Sequence, residues 1–290
     1  MTDMDQDTPL LSCDELERRL ADPSLRLYDV TVDMQIKPGG GYEIASGREK
    51  YADGHIPGAA FLDLLDDFSA DNPPLVFTLP TAAAFARAAG AAGISAQSQV
   101  VLYNAGPTWW ATRMWFMLRE FGFDAACVLD GGLDAWRAAD KPLETGVRSY
   151  PPASFPAGRR RKVFVDKADV KAAVDADSAA LVNALSPAVF AGTAGTYMRP
   201  GRIPGSCNVY AMDLVDPASK RFLARNELRA KLGAAGLLTD KPVIAYCGGG
   251  ISATTNAFAL HLLGRDDVQI YDGSLSEWAR DPAMPMETGD

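Results

Sequence analysis

Cys247 opens the run Cys247-Gly248-Gly249-Gly250-Ile251-Ser252, which follows the apolar, β-prone segment Pro242–Tyr246 and precedes a helix-compatible stretch from Ala253. That order places a thiol at the carboxyl end of a strand and the amino end of a helix, where open α/β sheets bind ligands. Three consecutive glycines let the backbone curl closely around the sulfur, so that several N–H groups can turn inward as an anion-binding nest. Helix amides and dipole favour the thiolate, and cysteines so placed have pKa values well below about 8.5. Cys247 is therefore the candidate nucleophile, and Gly248, Gly249, Gly250, Ile251, Ser252 and Ala253 form the candidate active-site loop. Ser252 could donate to the sulfur or cap the following helix, and capping is the expected role.

Three chemistries compete for such a loop. Gly248-x-Gly250-x-x-Ala253 matches a dinucleotide-binding fingerprint, but it opens the last βα unit of its domain instead of the first. A cysteine phosphatase needs a guanidinium to hold phosphate oxygens, and no Arg occurs in Gly248–His261. A Cys–His hydrolase needs a histidine base, and the chain has only His55, far away in sequence, and His261, deep in the next helix. What remains is a soft nucleophile that attacks sulfur and holds an anion among amides.

The elements that position Cys247 occur twice in the chain. Gly54-His55-Ile56-Pro57-Gly58, Val101–Asn104, Leu129-Asp130-Gly131-Gly132…Trp136 and Pro142–Gly146 recur in order as Gly201-Arg202-Ile203-Pro204-Gly205, Ile244–Cys247, Tyr271-Asp272-Gly273-Ser274…Trp278 and Pro285–Gly289. The offset stays within 142 to 147 residues, which marks a duplicated domain. Asn104 stands where the second copy has Cys247. Short apolar strands (Leu25–Val30, Val100–Tyr103, Ala126–Leu129; Ala180–Asn183, Val243–Tyr246, Val268–Tyr271) alternate with helical stretches (Thr81–Ala92, Trp110–Phe121, Asn226–Ala235, Ser252–Leu263). Such alternation predicts an α/β fold, two domains each with a mostly parallel sheet flanked by helices. Ser12 and Glu15 predict a capping box at the first helix. The domains are expected at residues 1–145 and 163–290. Between them 146–162, with Pro151, Pro152, Pro156 and Arg159-Arg160-Arg161-Lys162, reads as a linker.

With 290 residues, 48% of them hydrophobic, the chain can bury two cores, and a net charge of −9 argues against nucleic acid or anionic membrane as partner. No apolar run reaches the roughly 20 residues of a membrane span. The start Met1-Thr2-Asp3-Met4-Asp5 lacks the pattern of a secretory signal, and Cys13, Cys127, Cys207 and Cys247 are spaced neither as a disulfide framework nor as metal ligands. The expectation is a cytoplasmic protein without metal or other cofactor.

The Gly-His-Ile-Pro-Gly turn, the Cys-centred loop and the closing Tyr271-Asp272-Gly273-Ser274…Glu277-Trp278 together resemble the tandem-domain rhodanese-family sulfurtransferases. The resemblance runs from about Leu25 to Gly289. It implies an enzyme that moves a sulfane sulfur from thiosulfate or 3-mercaptopyruvate to cyanide, a small thiol or a protein thiol, a thioredoxin-like protein among the candidate acceptors, through a Cys247 persulfide. The amino-terminal copy would be silent and would form one wall of a cleft. A non-enzymatic sulfur relay is the alternative, and a redox sensor a third reading. The uncharged loop resembles the mercaptopyruvate type. Those enzymes carry a hydroxyl residue two positions after the cysteine and two arginines upstream, whereas Gly249 and Val189 stand here and Gly192–Arg199 is shorter. Arg199 and Arg202 are the expected contacts for the donor anion, Trp109 an expected wall of its pocket, and an arginine placed at 248 is expected to favour thiosulfate. His55, Asp130 and Asp272 read as turn and cap residues, Trp136 and Trp278 as core anchors.

Overall fold

The computed structural model describes residues 9–37, 42–156, 161–195 and 197–289, so the acidic start Met1–Asp5 and the arginines Arg159 and Arg160 lie outside the described residues. The first copy runs β1 (Leu10–Leu11), α1 (Cys13–Arg19), β2 (Leu25–Asp29), β3 (Val32–Ile36), β4 (Tyr42–Ser46), α2 (Arg48–Asp53), β5 (Ala60–Phe61), α3 (Ala82–Ala91), β6 (Gln99–Tyr103), α4 (Trp109–Glu120), β7 (Ala126–Leu129) and α5 (Gly132–Ala138). The second runs β8 (Phe164–Val165), α6 (Lys167–Ala176), β9 (Ala180–Asn183), α7 (Pro187–Phe190), β10 (Cys207–Asn208), α8 (Arg225–Ala234), β11 (Val243–Tyr246), α9 (Ala253–Leu262), β12 (Val268–Tyr271) and α10 (Ser274–Trp278). Ser12 and Glu15 form the expected capping box, each side chain bonding the other's backbone N–H, and Thr81 caps α3 through its hydroxyl.

The two five-stranded sheets have one topology, β1-β7-β6-β2-β5 and β8-β12-β11-β9-β10, with every neighbouring pair parallel. The central strands β6, from Val100 on, and β11 are apolar and wholly buried, as strands covered on both faces must be. Copy one adds an antiparallel hairpin, β3–β4, that joins neither sheet. One apolar core runs through both copies: α4 packs on α9, with the Trp115 and Phe258 rings edge to face at 5.0 Å and the Thr112 and Thr254 hydroxyls 2.7 Å apart.

Two further contacts across the interface repeat the internal symmetry. Asp130 Oδ1 accepts the Phe222 N–H of the second copy at 2.9 Å, and Asp272 Oδ2 accepts the Leu79 N–H of the first at 2.8 Å. These aspartates, expected to serve their own turns, tether one copy to the other. The segment expected to link the copies is likewise laced onto the first: Tyr150 Oη donates to the Gly58 carbonyl and accepts from Leu27 N–H, Ala153 N–H donates to the Gly90 carbonyl, and Phe155 is buried in the core. Among the described residues no helix is long and apolar enough to cross a membrane.

Candidate active site

Cys247 follows β11 directly, 2% exposed, at the wall of a cavity of about 470 Å3 between the copies. The backbone of its loop is turned by three sets of partners. Leu275 N–H and Ser276 N–H, at the start of α10, donate to the carbonyls of Cys247 and Gly248 at 3.1 and 2.8 Å. Ser274 Oγ accepts the N–H groups of Cys247 and Gly250, both at 3.1 Å, and donates to the Tyr271 carbonyl. From the first copy, Arg113 Nη1 donates to the Gly250 carbonyl at 3.2 Å. With these carbonyls drawn away, the N–H groups of Gly248, Gly249, Ile251 and Ser252 have no acceptor among the described residues, and Ala253 adds the unpaired first amide of α9. Unclaimed amides beside a helix start are an anion-binding concavity.

Gly250 must be glycine: its φ is +71°, and a Cβ would lie 2.5 Å from the Asp272 carbonyl oxygen. At Gly248 the obstacle is a side chain, since a Cβ would stand 2.0 Å from Tyr197 Oη. An arginine at 248 therefore cannot simply add a charge to the loop, because it must first expel Tyr197. Burial, and next the electrostatic interaction with Cys247, push the Tyr197 phenol well above its usual range, so it remains a hydrogen-bond donor at neutral pH.

The corresponding loop of copy one has the opposite polarity. Asn104 Nδ2 donates to the carbonyls of Ala105 and Pro107, both at 2.8 Å, and Asn104 Oδ1 accepts the Ala111 N–H at 3.0 Å. Its carboxamide fills the loop and ties up carbonyls that in copy two are drawn outward.

Trp109, Gly248, Gly249, Ile251 and Ser252 line the cavity, whereas Gly250 and Ala253 of the candidate loop do not. Ser252 makes no cap bond to α9, contrary to the expected role, and its partly exposed side chain borders the cavity instead. Arg199 and Arg202 do not reach the cavity. Arg199 donates to the carbonyls of Trp278, Ala279, Asp281 and Met284, gathering the turn after α10. Arg202, 4% exposed, pairs with Glu287 at 2.6 Å and stacks on Phe190. Backbone carbonyls hold Arg199, and carbonyls with the Glu287 carboxylate hold the terminal nitrogens of Arg202, whose buried Nε is left without a partner, so neither guanidinium is presented to a substrate anion in the cavity. Arg280 is the one charged side chain lining the cavity among the described residues. His55 bonds the Tyr51 carbonyl at 2.9 Å and stacks on that ring, as a turn-fixing residue should. Among the described residues no cluster of His, Cys, Asp and Glu could hold a metal ion.

Sequence reasoning missed Tyr197, Arg280, Arg113 and the role of Ser274. Only Ser274 left a signal, because Gly132 is its counterpart. Gly132 has φ +55° and Ser274 keeps the same conformation at φ +49°, where a side chain is strained.

A rhodanese-like domain model matches residues 12–139 and again 166–281. A probable 3-mercaptopyruvate sulfurtransferase of Pseudomonas aeruginosa is 36% identical over 97% of this chain and 98% of its own length. The 3-mercaptopyruvate sulfurtransferase of Escherichia coli K12 is 31% identical over 97% of this chain and 98% of its own. The crystal structure of SseA from Escherichia coli superposes with a TM-score of 0.77 at 30% identity, covering 93% of this chain and all of that one. The chain belongs to the rhodanese family, with two rhodanese-like domains in tandem. Within that family it is a sulfurtransferase enzyme of the thiosulfate/3-mercaptopyruvate type.

Proposed function

We propose that Cys247 carries the transferred sulfur as a persulfide and that a 3-mercaptopyruvate-type molecule is the donor. The observation that carries the reading is the set of unclaimed amides of Gly248, Gly249, Ile251, Ser252 and Ala253 around the one cysteine that lines the cavity among the described residues. The Cys247 thiolate attacks the donor's thiol sulfur, the C–S bond breaks, and its electron pair leaves on the enolate of pyruvate, which takes up a proton, so the donor carbon is reduced as the sulfur is oxidised to the persulfide level. The resulting Cys247–S–S⁻ exchanges a negative charge on one sulfur for a negative charge on the next, and the same amides solvate both. Fixed dipoles of this kind need no reorganisation as the charge moves. Tyr197, kept protonated, donates to the anionic sulfur or to the donor. Copy one, with Asn104 in its filled loop, is silent. Four cysteines without a disulfide among them suit a reducing compartment such as the cytoplasm.

Thiosulfate is the poorer donor on this reading. It is a dianion, the loop has no cation, and Arg280 alone lines the cavity. A charge-assisted hydrogen bond lost to a dianion is worth about 1.5–3 kcal/mol, so kcat/KM for thiosulfate should fall roughly tenfold to a hundredfold below that for mercaptopyruvate. Initial rates of sulfite and pyruvate release, with intact-mass detection of one added sulfur atom, test this. Equal rates, or thiosulfate preference, would reverse the assignment of the donor.

Ser274→Gly separates positioning from stability. The variant loses three hydrogen bonds of about 0.5–1.5 kcal/mol each and is relieved of left-handed strain of about 1–2 kcal/mol, so its unfolding free energy should fall by about 1–2 kcal/mol. Its loop amides are no longer held, and misplaced catalytic groups cost up to about a hundredfold in rate. A large loss of rate in a variant that is only modestly destabilised and still fully folded is the expected result, read from urea unfolding and steady-state kinetics.

A further inference from the structure

We propose that the sulfur acceptor of this enzyme is a small thiol with an apolar body, lying between the β3–β4 hairpin and Trp109. The inference rests on the sulfur-transfer reading above and adds the chemical class of the second substrate.

Charge is the first argument. Among the described residues lining the cavity Arg280 is the only charged one, and no carboxylate or lysine joins it. Cysteine would leave its ammonium desolvated without a partner, and glutathione its ammonium and one carboxylate, which is costly.

The second argument is where the apolar surface lies. Met34, Tyr42, Val76, Leu143, Val147 and Met198 are the large hydrophobic side chains left exposed among the described residues, and Met34, Tyr42, Val76 and Met198 all line this one cavity. Exposed apolar residues scattered singly need no explanation, whereas their concentration in one place marks a binding site. The hairpin strengthens the point. It is extra to the duplicated fold, adds nothing to either five-stranded sheet, and sends Met34, Tyr42 and Ile44 into the cavity lining. Methionine is unbranched and adaptable, and its sulfur is attracted to aromatic rings.

Size and access complete the case. At about 30 Å3 per water molecule, a cavity of about 470 Å3 has room for much more than a three-carbon keto acid. Cys247 itself is only 2% exposed, which admits a slender thiol and obstructs a cysteine mounted on a folded protein.

The step balances without any further reagent. The acceptor thiolate R–S⁻ attacks the outer sulfur of Cys247–S–SH, a new S–S bond forms to R, the old one to Cys247 breaks, and Cys247 leaves as thiolate. The product is R–S–SH. The sulfane sulfur keeps its oxidation state and changes carrier.

The test uses the full-length protein loaded with mercaptopyruvate, freed of excess donor and checked for one added sulfur by intact mass. Loss of that sulfur is followed with benzyl mercaptan, glutathione, cysteine, cyanide and reduced thioredoxin, comparing second-order rate constants at equal thiolate concentration. Benzyl mercaptan is expected to exceed glutathione at least about tenfold, equivalent to about 1.4 kcal/mol. The double variant Met34→Ser/Tyr42→Ser, at positions 36% and 50% exposed and so outside the core, is expected to lower the ratio of benzyl mercaptan to cyanide by a similar factor. If the persulfide forms but glutathione or thioredoxin reacts as fast as benzyl mercaptan, or the variant keeps the wild-type ratio, the apolar-acceptor inference is overturned and sulfur transfer stands. If neither mercaptopyruvate nor thiosulfate adds sulfur to the protein, the sulfur-transfer reading fails and the inference falls with it.

Discussion

Cys247→Ser is expected to fold as the wild type does and to take up no sulfur from any donor. The substitution removes one polarizable atom from a loop held by backbone bonds to Ser274, Leu275 and Ser276, none of which involves the thiol, so stability should change by less than about 1.5 kcal/mol. Activity should fall by at least about four orders of magnitude, as happens when a covalent nucleophile is lost. The other cysteines cannot substitute. Burial pushes the thiols of Cys127 and Cys207 up to about 11, and that of Cys13 above its usual value, so at neutral pH they stay protonated and unreactive. None of the three lines the cavity. Intact mass after incubation with mercaptopyruvate, with pyruvate release measured in parallel, gives the result. Sulfur retained on the variant would move the site away from Cys247.

The features legible in the sequence are those whose cause is local. Val243–Tyr246 is a strand because four apolar residues run between a proline and a glycine loop, and α9 starts where the glycines end. The Ser12–Glu15 box bonds across three residues, and both are in the sequence to be read. The duplication placed Asn104 opposite Cys247, and the structure adds the reason it matters: the amide fills its loop and reverses its polarity. What was illegible acts across distance. Asp130 and Asp272 precede glycines and so read as turn residues, yet their partners lie 92 and 193 residues away. Arg199 and Arg202 read as cleft arginines because they precede the Ile-Pro-Gly turn, but the chain's last residues fold back and offer them carbonyls first. The β3–β4 hairpin has no counterpart among the described residues of copy two, so comparison of the copies could not reveal it. Arg280 follows α10 with no pattern to distinguish it from any surface arginine.

Arg113→Met is expected to cost about 3–5 kcal/mol of stability and to slow sulfur transfer as well, because a charge of the silent copy is built into the active loop of the other. Arg113 is fully buried. One arm of its guanidinium pairs with Asp272 at 2.7 Å and donates to the Phe77 carbonyl at 2.5 Å, the other donates to the Gly250 carbonyl at 3.2 Å, and the group lies 4.4 Å from the centre of the Phe164 ring. Methionine matches the length but supplies no donor, leaving a mostly buried carboxylate and two carbonyls short of partners, and breaking a buried pair costs about that much. The Gly250 carbonyl, no longer held, can turn toward the amides that face the sulfur and oppose the anion they stabilise. Arg113→Lys keeps the charge but not the fork that spans three acceptors, so it should recover part of the stability and less of the rate. Asp272→Asn, which keeps the bond from Leu79 N–H, isolates the ion pair from the tether. Urea unfolding and kcat/KM for all three variants decide the matter. If Arg113→Met unfolded at the wild-type midpoint, the guanidinium would not bind the copies together. If it unfolded earlier but a stabilised preparation turned over at the wild-type rate, the charge would serve the interface alone, and copy one would be needed for folding and not for chemistry.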